Sequence, residues 1–567
     1  MANGDDEAAV VLDGETLTPE AVERVARWDV PVRVADAARE RVRAARDRVR
    51  AVVESDEPVY GINTGFGDLV EERIDRDDLE RLQTNLVRSH ASGTGRECTR
   101  EEVRTLLVTR VNALLVGNSG VREGVVDRLM AMLNEGVHPV IRSRGSLGAS
   151  GDLAPLAYVA LVLLGEGEAD VDLEAGPPPE DRNSVRNRPE PGDGRHAGER
   201  PQAGPVAGVK RLPGDAALSE AGIEPVTFAP KEALALINGT QLTVGLAALA
   251  VVDAERLVTT ADAVGTLTTE VTMGTTVACE PAVHRVRPHD GQQESAANVR
   301  RIAAGSEIVE SHRNCDRVQD AYSVRCLPQV HGAVRDAVAH LREAVETELN
   351  GATDNPLVFP ADAVEDPARA SGTGDAVVLS GGNFHGAPIA HRLDYLVGAL
   401  ADLATIAERR VDRVLNPDVQ ESHLPPFLAG DSGLESGMMI PQYIAAALVN
   451  ELRAEGRTAT DSTPVSGTQE DHVSMSATGA FAARRAVERA RRVVGIELLV
   501  GCEALEHVDD GLSPGVGTAV LYDALRECVS PLDGDRPLDR DIDRAAALVA
   551  GGRARDAVAD AVDGDLV

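Results

Sequence analysis

Residues 145–157 read GSLGASGDLAPLA, and they join a glycine-punctuated turn to the start of an apolar helix. The tripeptide Ala149-Ser150-Gly151 inside this stretch recurs at Ala91-Ser92-Gly93 and at Ala370-Ser371-Gly372. A chain rich in alanine and glycine produces such triplets by chance, so the flanks must separate them. Only the middle one has Gly145 and Gly148 upstream, which permit a tight backbone, and Asp152 in the N-cap position before Leu153-Ala154-Pro155. The other two run on into Gly-Thr-Gly. An Ala-Ser-Gly segment held in a strained turn can close on itself. The glycine amide nitrogen attacks the alanine carbonyl and water leaves. Loss of the serine hydroxyl then leaves an exocyclic methylene conjugated to the ring carbonyl. The product is an electrophile that no ordinary side chain supplies. Glycine spares the attacking nitrogen a crowding Cβ, and the helix N-terminus favours negative charge developing on the ring.

Outward from this turn the spacing predicts a mainly α fold, a long-helix bundle core with a smaller N-terminal region of short strands. VVLDGETLT (10–18) reads as a short hairpin turning at Asp13-Gly14. Charged amphipathic helix is expected over much of 31–54 and 76–90, then 101–117 and 121–135, interrupted by the glycine-rich loop VYGINTGFGDLV (59–70). The apolar helix after the turn runs to about Leu164. Long helical patterns follow at 231–263, 296–312, 329–350, 387–414, 438–457, 477–507 and 540–561, while NPLVF and AVVLSGGNFHG read as strands of one hairpin. Composition divides the chain into a helical region with the reactive turn (1–173), an acidic, proline-rich low-complexity insertion (174–210, at its most biased over 174–205) and a long-helix region (211–567).

Of the 567 residues 43% are apolar but only 2% aromatic, so the core must be aliphatic and alanine-rich. The formal charge is -35, and lysine occurs only at Lys210 and Lys231. Such a surface repels nucleic acid and anionic membrane, and it suits a salty cytosol, where the repulsion is screened. The acidic start has no apolar signal core, which implies a cytoplasmic protein, and the apolar runs are too short to span a bilayer. Six scattered cysteines without C-x-x-C give neither a disulfide framework nor a zinc knuckle. Neither lysine follows a glycine, which excludes a Walker A loop. His284, His289, His385 and His391 lack ligand spacing, so no metal is expected.

Several polar residues stand out by type. Tyr60 in the glycine loop suits either a packing or lid residue or a strong base. Gln319, Tyr322 and Arg325 fall at i, i+3 and i+6 on one helical face, a surface arginine beside a half-buried tyrosine or an anion clamp. Asn238, within the apolar pattern, is costly to bury without a partner; a bond to another helix or a catalytic role would each supply one.

GSLGASGDLAPLA resembles the prosthetic-group signature of the aromatic amino acid ammonia-lyases. YGINTGFG, NLVRSHASG, LINGTQ, QDAYSVRCLPQVHG, SGGNFHG and TQEDHVSM match the same family in the same order, over about 60 to 475. The resemblance implies a 4-methylideneimidazol-5-one (MIO) group formed from Ala149, Ser150 and Gly151, with no external cofactor. Within the family the likeness is to members that deaminate L-histidine to trans-urocanate and ammonia, in histidine degradation. It further implies Tyr60 as the base, Asn238 as the residue polarising the MIO, Tyr322 beside the migrating amine, and Arg325 with Gln319 at the substrate carboxylate. His90 and Glu470 would face the imidazole, with Phe384 and Met439 lining the apolar side. A homotetramer is implied, with active sites shared between subunits. The alternatives are another MIO enzyme, a phenylalanine or tyrosine ammonia-lyase or an aminomutase, and a non-catalytic helical scaffold whose turn never cyclises. Glu470 with His90 speaks against the first, because a carboxylate is costly beside a phenyl ring.

Overall fold

A computed structural model describes residues 9–55, 58–64, 78–172, 208–313, 317–367, 370–460, 462–509 and 511–567. The insertion expected over 174–205 and residues 65–70 of the glycine loop lie outside the described residues. Among those described, twenty α-helices carry the fold and ten short strands decorate it, the mainly α architecture that the sequence predicts. The longest helices are Gln241–Val271, Ser476–Leu505, Ala387–Leu415 and Leu327–Leu349. Packing groups residues 1–249, 343–391 and 458–480 into one compact unit, and 250–342, 392–457 and 481–567 into a second. Neither unit is a single consecutive stretch of chain, unlike the segments that composition marks out. No helix among the described residues is long and apolar enough to cross a membrane.

The first unit is built around the helix Arg100–Leu115. Thr99 and Glu102 open it with a capping box, and every residue from Glu102 to Leu115 is buried. A helix buried on all sides must find partners for its polar side chains. Arg104 donates to the Val25 and Leu133 carbonyls at 2.8 and 2.9 Å. Asn112 accepts from the Gly14 amide and donates to the Leu349 carbonyl, both at 2.9 Å. The expected N-terminal hairpin is corrected by the strand pairing. Asp13 does form a turn, its carboxylate accepting from the Glu15 and Thr16 amides at 2.8 and 2.9 Å. The chain then enters a helix capped by Thr18, Pro19–Arg27, before returning as the strand Val32–Val34, parallel to Val10–Leu12. The turn signal is local, whereas the strand's partner lies beyond a helix.

NPLVF and AVVLSGGNFHG do supply paired strands, Leu357–Pro360 antiparallel to Ala376–Leu379. A third strand, Ser371–Thr373, joins the sheet and takes up the third Ala-Ser-Gly triplet. The core is aliphatic and alanine-rich, as composition requires.

In the second unit long helices are tied together by buried ions. Arg410 grips Glu497 through two bonds of 2.5 and 2.9 Å, and Glu497 also accepts from Thr268 at 2.8 Å. Asp262 accepts from His331 at 2.8 Å, Arg335 at 2.6 Å and Asn298 at 3.0 Å. Burial alone would raise its pKa, but the Arg335 guanidinium and the His331 ring hold it down to about 2. The expected helices at 296–312 and 540–561 are each divided, into Asp290–Ile302 and Glu307–Ser311, and Asp539–Ala550 and Arg553–Ala561.

Candidate active site

The middle triplet is bound on every side within the first unit. Asn238 Nδ2 donates to the Ser150 carbonyl at 2.7 Å. Gly151 pairs with Gly239 in a parallel bridge, and the Asp152 amide donates to the Gly239 carbonyl at 2.6 Å. Ser150 Oγ donates to Glu470 Oε1 at 3.0 Å, across 320 positions of sequence. Upstream, the Leu147 carbonyl accepts from the Met475 amide at 2.7 Å, and the Gly148 carbonyl from Ser474 Oγ at 2.8 Å and the Gly386 amide at 3.2 Å. Gly151 has φ +74°, and a Cβ there would lie 2.2 Å from the Gly239 carbonyl oxygen, so only glycine fits. The other triplets have no such frame: Ala91 caps the C-terminus of the helix Leu79–His90, and Ser371-Gly372 lie in a strand.

Asn238 is not inside a helix, as the apolar pattern over 231–263 suggests. The helix Glu232–Ile237 stops at Asn238, which has φ -91° and ψ 125°, and a new helix starts at Gln241. Tertiary contacts set the break. Arg110, fully buried, donates to the carbonyls of Ala235 and Asn238, the latter at 2.7 Å, and to Gln241 Oε1 at 2.8 Å. Asn238 is 3% exposed, and its Oδ1 is buried with no hydrogen-bond partner among the described residues. That acceptor, aimed from the residue that holds Ser150, and the glycine cradle at Gly151 both fit a group made from the triplet.

Asp152 precedes the helix Leu153–Leu163 but does not cap it with its side chain. Instead its buried carboxylate accepts from the Thr243 amide at 2.8 Å, Thr243 Oγ1 at 3.2 Å and Ser146 Oγ at 2.7 Å. Burial pushes this carboxyl up, and these donors pull it back only in part. Asp152 therefore staples both sides of the turn to the helix Gln241–Val271.

Glu470 sits at the end of a tight turn closed by a bridge to Val465. Ser466 and Thr468 in that turn hold left-handed φ of 52° and 74°, a strained backbone of the sort found at functional sites. His90, half-buried, ends the helix Leu79–His90; its Nδ1 lies 2.8 Å from the Leu86 carbonyl, which can only accept. Nδ1 therefore donates to that carbonyl. Tyr60 is half-buried in a turn whose amide at Val59 donates to Asn63 Oδ1 at 2.7 Å. Phe384 is half-buried beside His385, whose ring stacks on His472 at 5.7 Å between centroids.

Gln319, Tyr322, Arg325 and Met439 belong to the second unit. The helix expected across 319–325 is only Tyr322–Arg325, and Gln319 lies before it. The three side chains still meet: Arg325 donates to Gln319 Oε1 at 2.5 Å and lies 4.9 Å over the Tyr322 ring. Met439, half-buried, opens the helix Met439–Ala454. Sequence reading missed Arg110, Thr243, Ser146 and Ser474, which hold the turn. No local signal singles out Arg110, because its helix also carries Arg104, Thr109 and Asn112 and only the fold shows which of them meets the turn.

The model of the aromatic amino acid lyase family matches residues 17–527. The chain is 58% identical over 557 residues to a probable histidine ammonia-lyase of Halobacterium salinarum, covering 98% of this chain and 99% of that one. It is 47% identical to a histidine ammonia-lyase of an Anaeromyxobacter species, covering 95% and 98%. Among solved structures, a tyrosine aminomutase from Streptomyces globisporus superposes with a TM-score of 0.85 at 35% identity, covering 99% and 100%. The histidine ammonia-lyase of Trypanosoma cruzi superposes with a TM-score of 0.83 at 36% identity, covering 98% and 96%. With its reactive-turn geometry and these matches along nearly its whole length, the chain belongs to the aromatic amino acid lyase family.

Proposed function

We propose that this protein is a histidine ammonia-lyase, a carbon–nitrogen lyase that converts L-histidine to trans-urocanate and ammonia. The observation that carries the reading is the 3.0 Å bond from Ser150 Oγ to Glu470, which joins the reactive triplet to a carboxylate suited to an imidazole N–H. Relatives named as histidine ammonia-lyases support it at up to 58% identity. The triplet would carry the MIO, held by Asn238 and seated against Gly239. When formed, that group supplies an electrophile that makes the amine a leaving group.

The remaining work falls to side chains. Glu470 accepts a hydrogen bond from the substrate ring, and His90 supplies a second polar partner on the imidazole side. Phenylalanine, whose ring carries no hydrogen-bonding group, leaves both unpaired, which disfavours it. Tyr60 removes the β-proton as a phenolate. Arg325, oriented by Gln319 and Tyr322, holds the substrate carboxylate, while Phe384 and Met439 enclose the apolar side. These residues reach one another in a homotetramer whose subunits share sites. An exposed Tyr322, at 72%, beside Val318 at 93%, supports a face awaiting a partner copy. The lysine-poor surface supports work in a salty cytoplasm.

The second reading, an aminomutase, draws on the Streptomyces globisporus neighbour. Offering L-histidine, L-tyrosine and L-phenylalanine separately and identifying products by NMR decides between them. Urocanate from histidine alone is expected, with Glu470→Gln raising KM for histidine more than it lowers kcat. A β-amino acid from tyrosine would replace this reading.

A further inference from the structure

Arg110 lies within the buried helix Arg100–Leu115 and is itself fully buried. Among the described residues it makes no salt bridge; burial pulls its pKa down to about 10, and the Asp354 and Asp152 carboxylates offset this only in part. A buried guanidinium with no carboxylate in direct contact is costly, so its hydrogen bonds must return something. They go to the Ala235 and Asn238 carbonyls and to Gln241 Oε1, while Gln241 Nε2 in turn donates to Thr353 Oγ1 at 2.7 Å. These acceptors straddle the break between the helices Glu232–Ile237 and Gln241–Val271. A cation at the end of the first helix satisfies its open carbonyls and so fixes where it stops.

The two residues at that stop are the ones that hold the reactive turn. Asn238 binds the Ser150 carbonyl, and Gly239 binds Gly151 and the Asp152 amide. We propose that Arg110 is a positioning residue for ring closure, holding Asn238 and Gly239 as the template on which Ala149-Ser150-Gly151 cyclises. The inference rests on the reading that this triplet forms the MIO. In the closure the Gly151 nitrogen bonds to the Ala149 carbonyl carbon. The carbonyl oxygen leaves as water with the Gly151 and Ser150 amide protons, and the Ser150 hydroxyl leaves as water with the Ser150 α-proton. No oxidant is required. The Ser150 carbonyl and the Asp152 amide flank the attacking nitrogen and are both clamped to the template, so its rigidity sets how often the attacking geometry is reached.

The test follows intact mass over time in the full-length chain, freshly synthesised in high salt and quenched at intervals, with circular dichroism reporting folding. The wild type is expected to end two waters lighter. Arg110→Lys keeps the charge but loses the forked contact, and should lose the waters about tenfold more slowly, the ratio that one charge-assisted hydrogen bond corresponds to. Thr353→Val leaves Arg110 in place and loosens only its Gln241 partner, and a smaller delay is expected. A folded Arg110→Lys protein that loses both waters at the wild-type pace overturns the proposal. If Arg110→Lys does not fold, Thr353→Val decides, and conversion at the wild-type pace again overturns it. A wild-type chain that never loses water refutes the MIO reading itself, which is a distinguishable result.

Discussion

Replacing Gly151 by alanine puts a methyl group where the turn has no room for one. The added Cβ would meet the Gly239 carbonyl oxygen at 2.2 Å, its carbonyl carbon at 2.5 Å and its nitrogen at 2.6 Å, all backbone atoms that cannot rotate away. Real contacts of this kind stay beyond 3.0 Å, so the two segments must part by about 0.8 Å and stretch the Asp152–Gly239 bond. Holding alanine at φ +74° costs about 1–2 kcal/mol. Relieving the overlap costs about 1–3 kcal/mol more. Gly374 is the control, since it also has a positive φ, +57°, but open space around the site of its Cβ. Gly374→Ala should therefore lose only the conformational part, about 1–2 kcal/mol. The assay is guanidinium denaturation at fixed salt, paired with intact mass. Gly151→Ala should unfold at a clearly lower midpoint than Gly374→Ala and retain the mass of an uncyclised chain. Equal midpoints with two waters lost would refute the close approach on which the reactive turn depends.

Lys231 and Asp354 form a pair at 3.0 Å with side chains 0% and 1% exposed, so Lys231→Met strands a buried carboxylate and should cost about 3–5 kcal/mol in the same denaturation assay. Asp262 is held down to about 2 against an ordinary 3.8, so its ionised form stabilises the fold above that ordinary value. That contribution is lost as pH falls from about 4 through about 2, and Asp262→Asn should flatten the stability–pH curve there while lowering the plateau. A net charge of -35 makes self-repulsion depend on screening, so dilution into low salt should reduce activity and dissociate the proposed tetramer, read by size-exclusion chromatography. Full activity at low salt would overturn the inference that the acidic surface suits a salty cytoplasm.

The reactive turn was legible because its chemistry is local: three residue types, two flanking glycines and a helix start. The long helices were legible too, since apolar periodicity over twenty or more residues overrides small uncertainties at the ends. What escaped was decided at long range. Residues 231–263 carry one unbroken helical pattern, yet Arg110 and the Gly151 bridge stop the helix at Asn238. Asp13-Gly14 carries a sound turn signal, but the strand's partner is set by the helix that follows. Asp152 has the identity of an N-cap, and its carboxylate goes instead to Thr243 and Ser146. Gln319 and Arg325 keep helical spacing, although the helix covers only Tyr322–Arg325 and a side-chain bond restores their proximity. The contact between Ser150 and Glu470 spans 320 positions, and no local pattern encodes it.

Near-UV absorbance on mixing the protein with L-histidine in high salt, beside a Ser150→Ala control, reads the chemistry most directly. A rise characteristic of urocanate, absent in the control, is the expected result and ties the product to the Ser150 hydroxyl. An equal rise in the control, or no rise with histidine from a wild-type chain already two waters lighter, would contradict it.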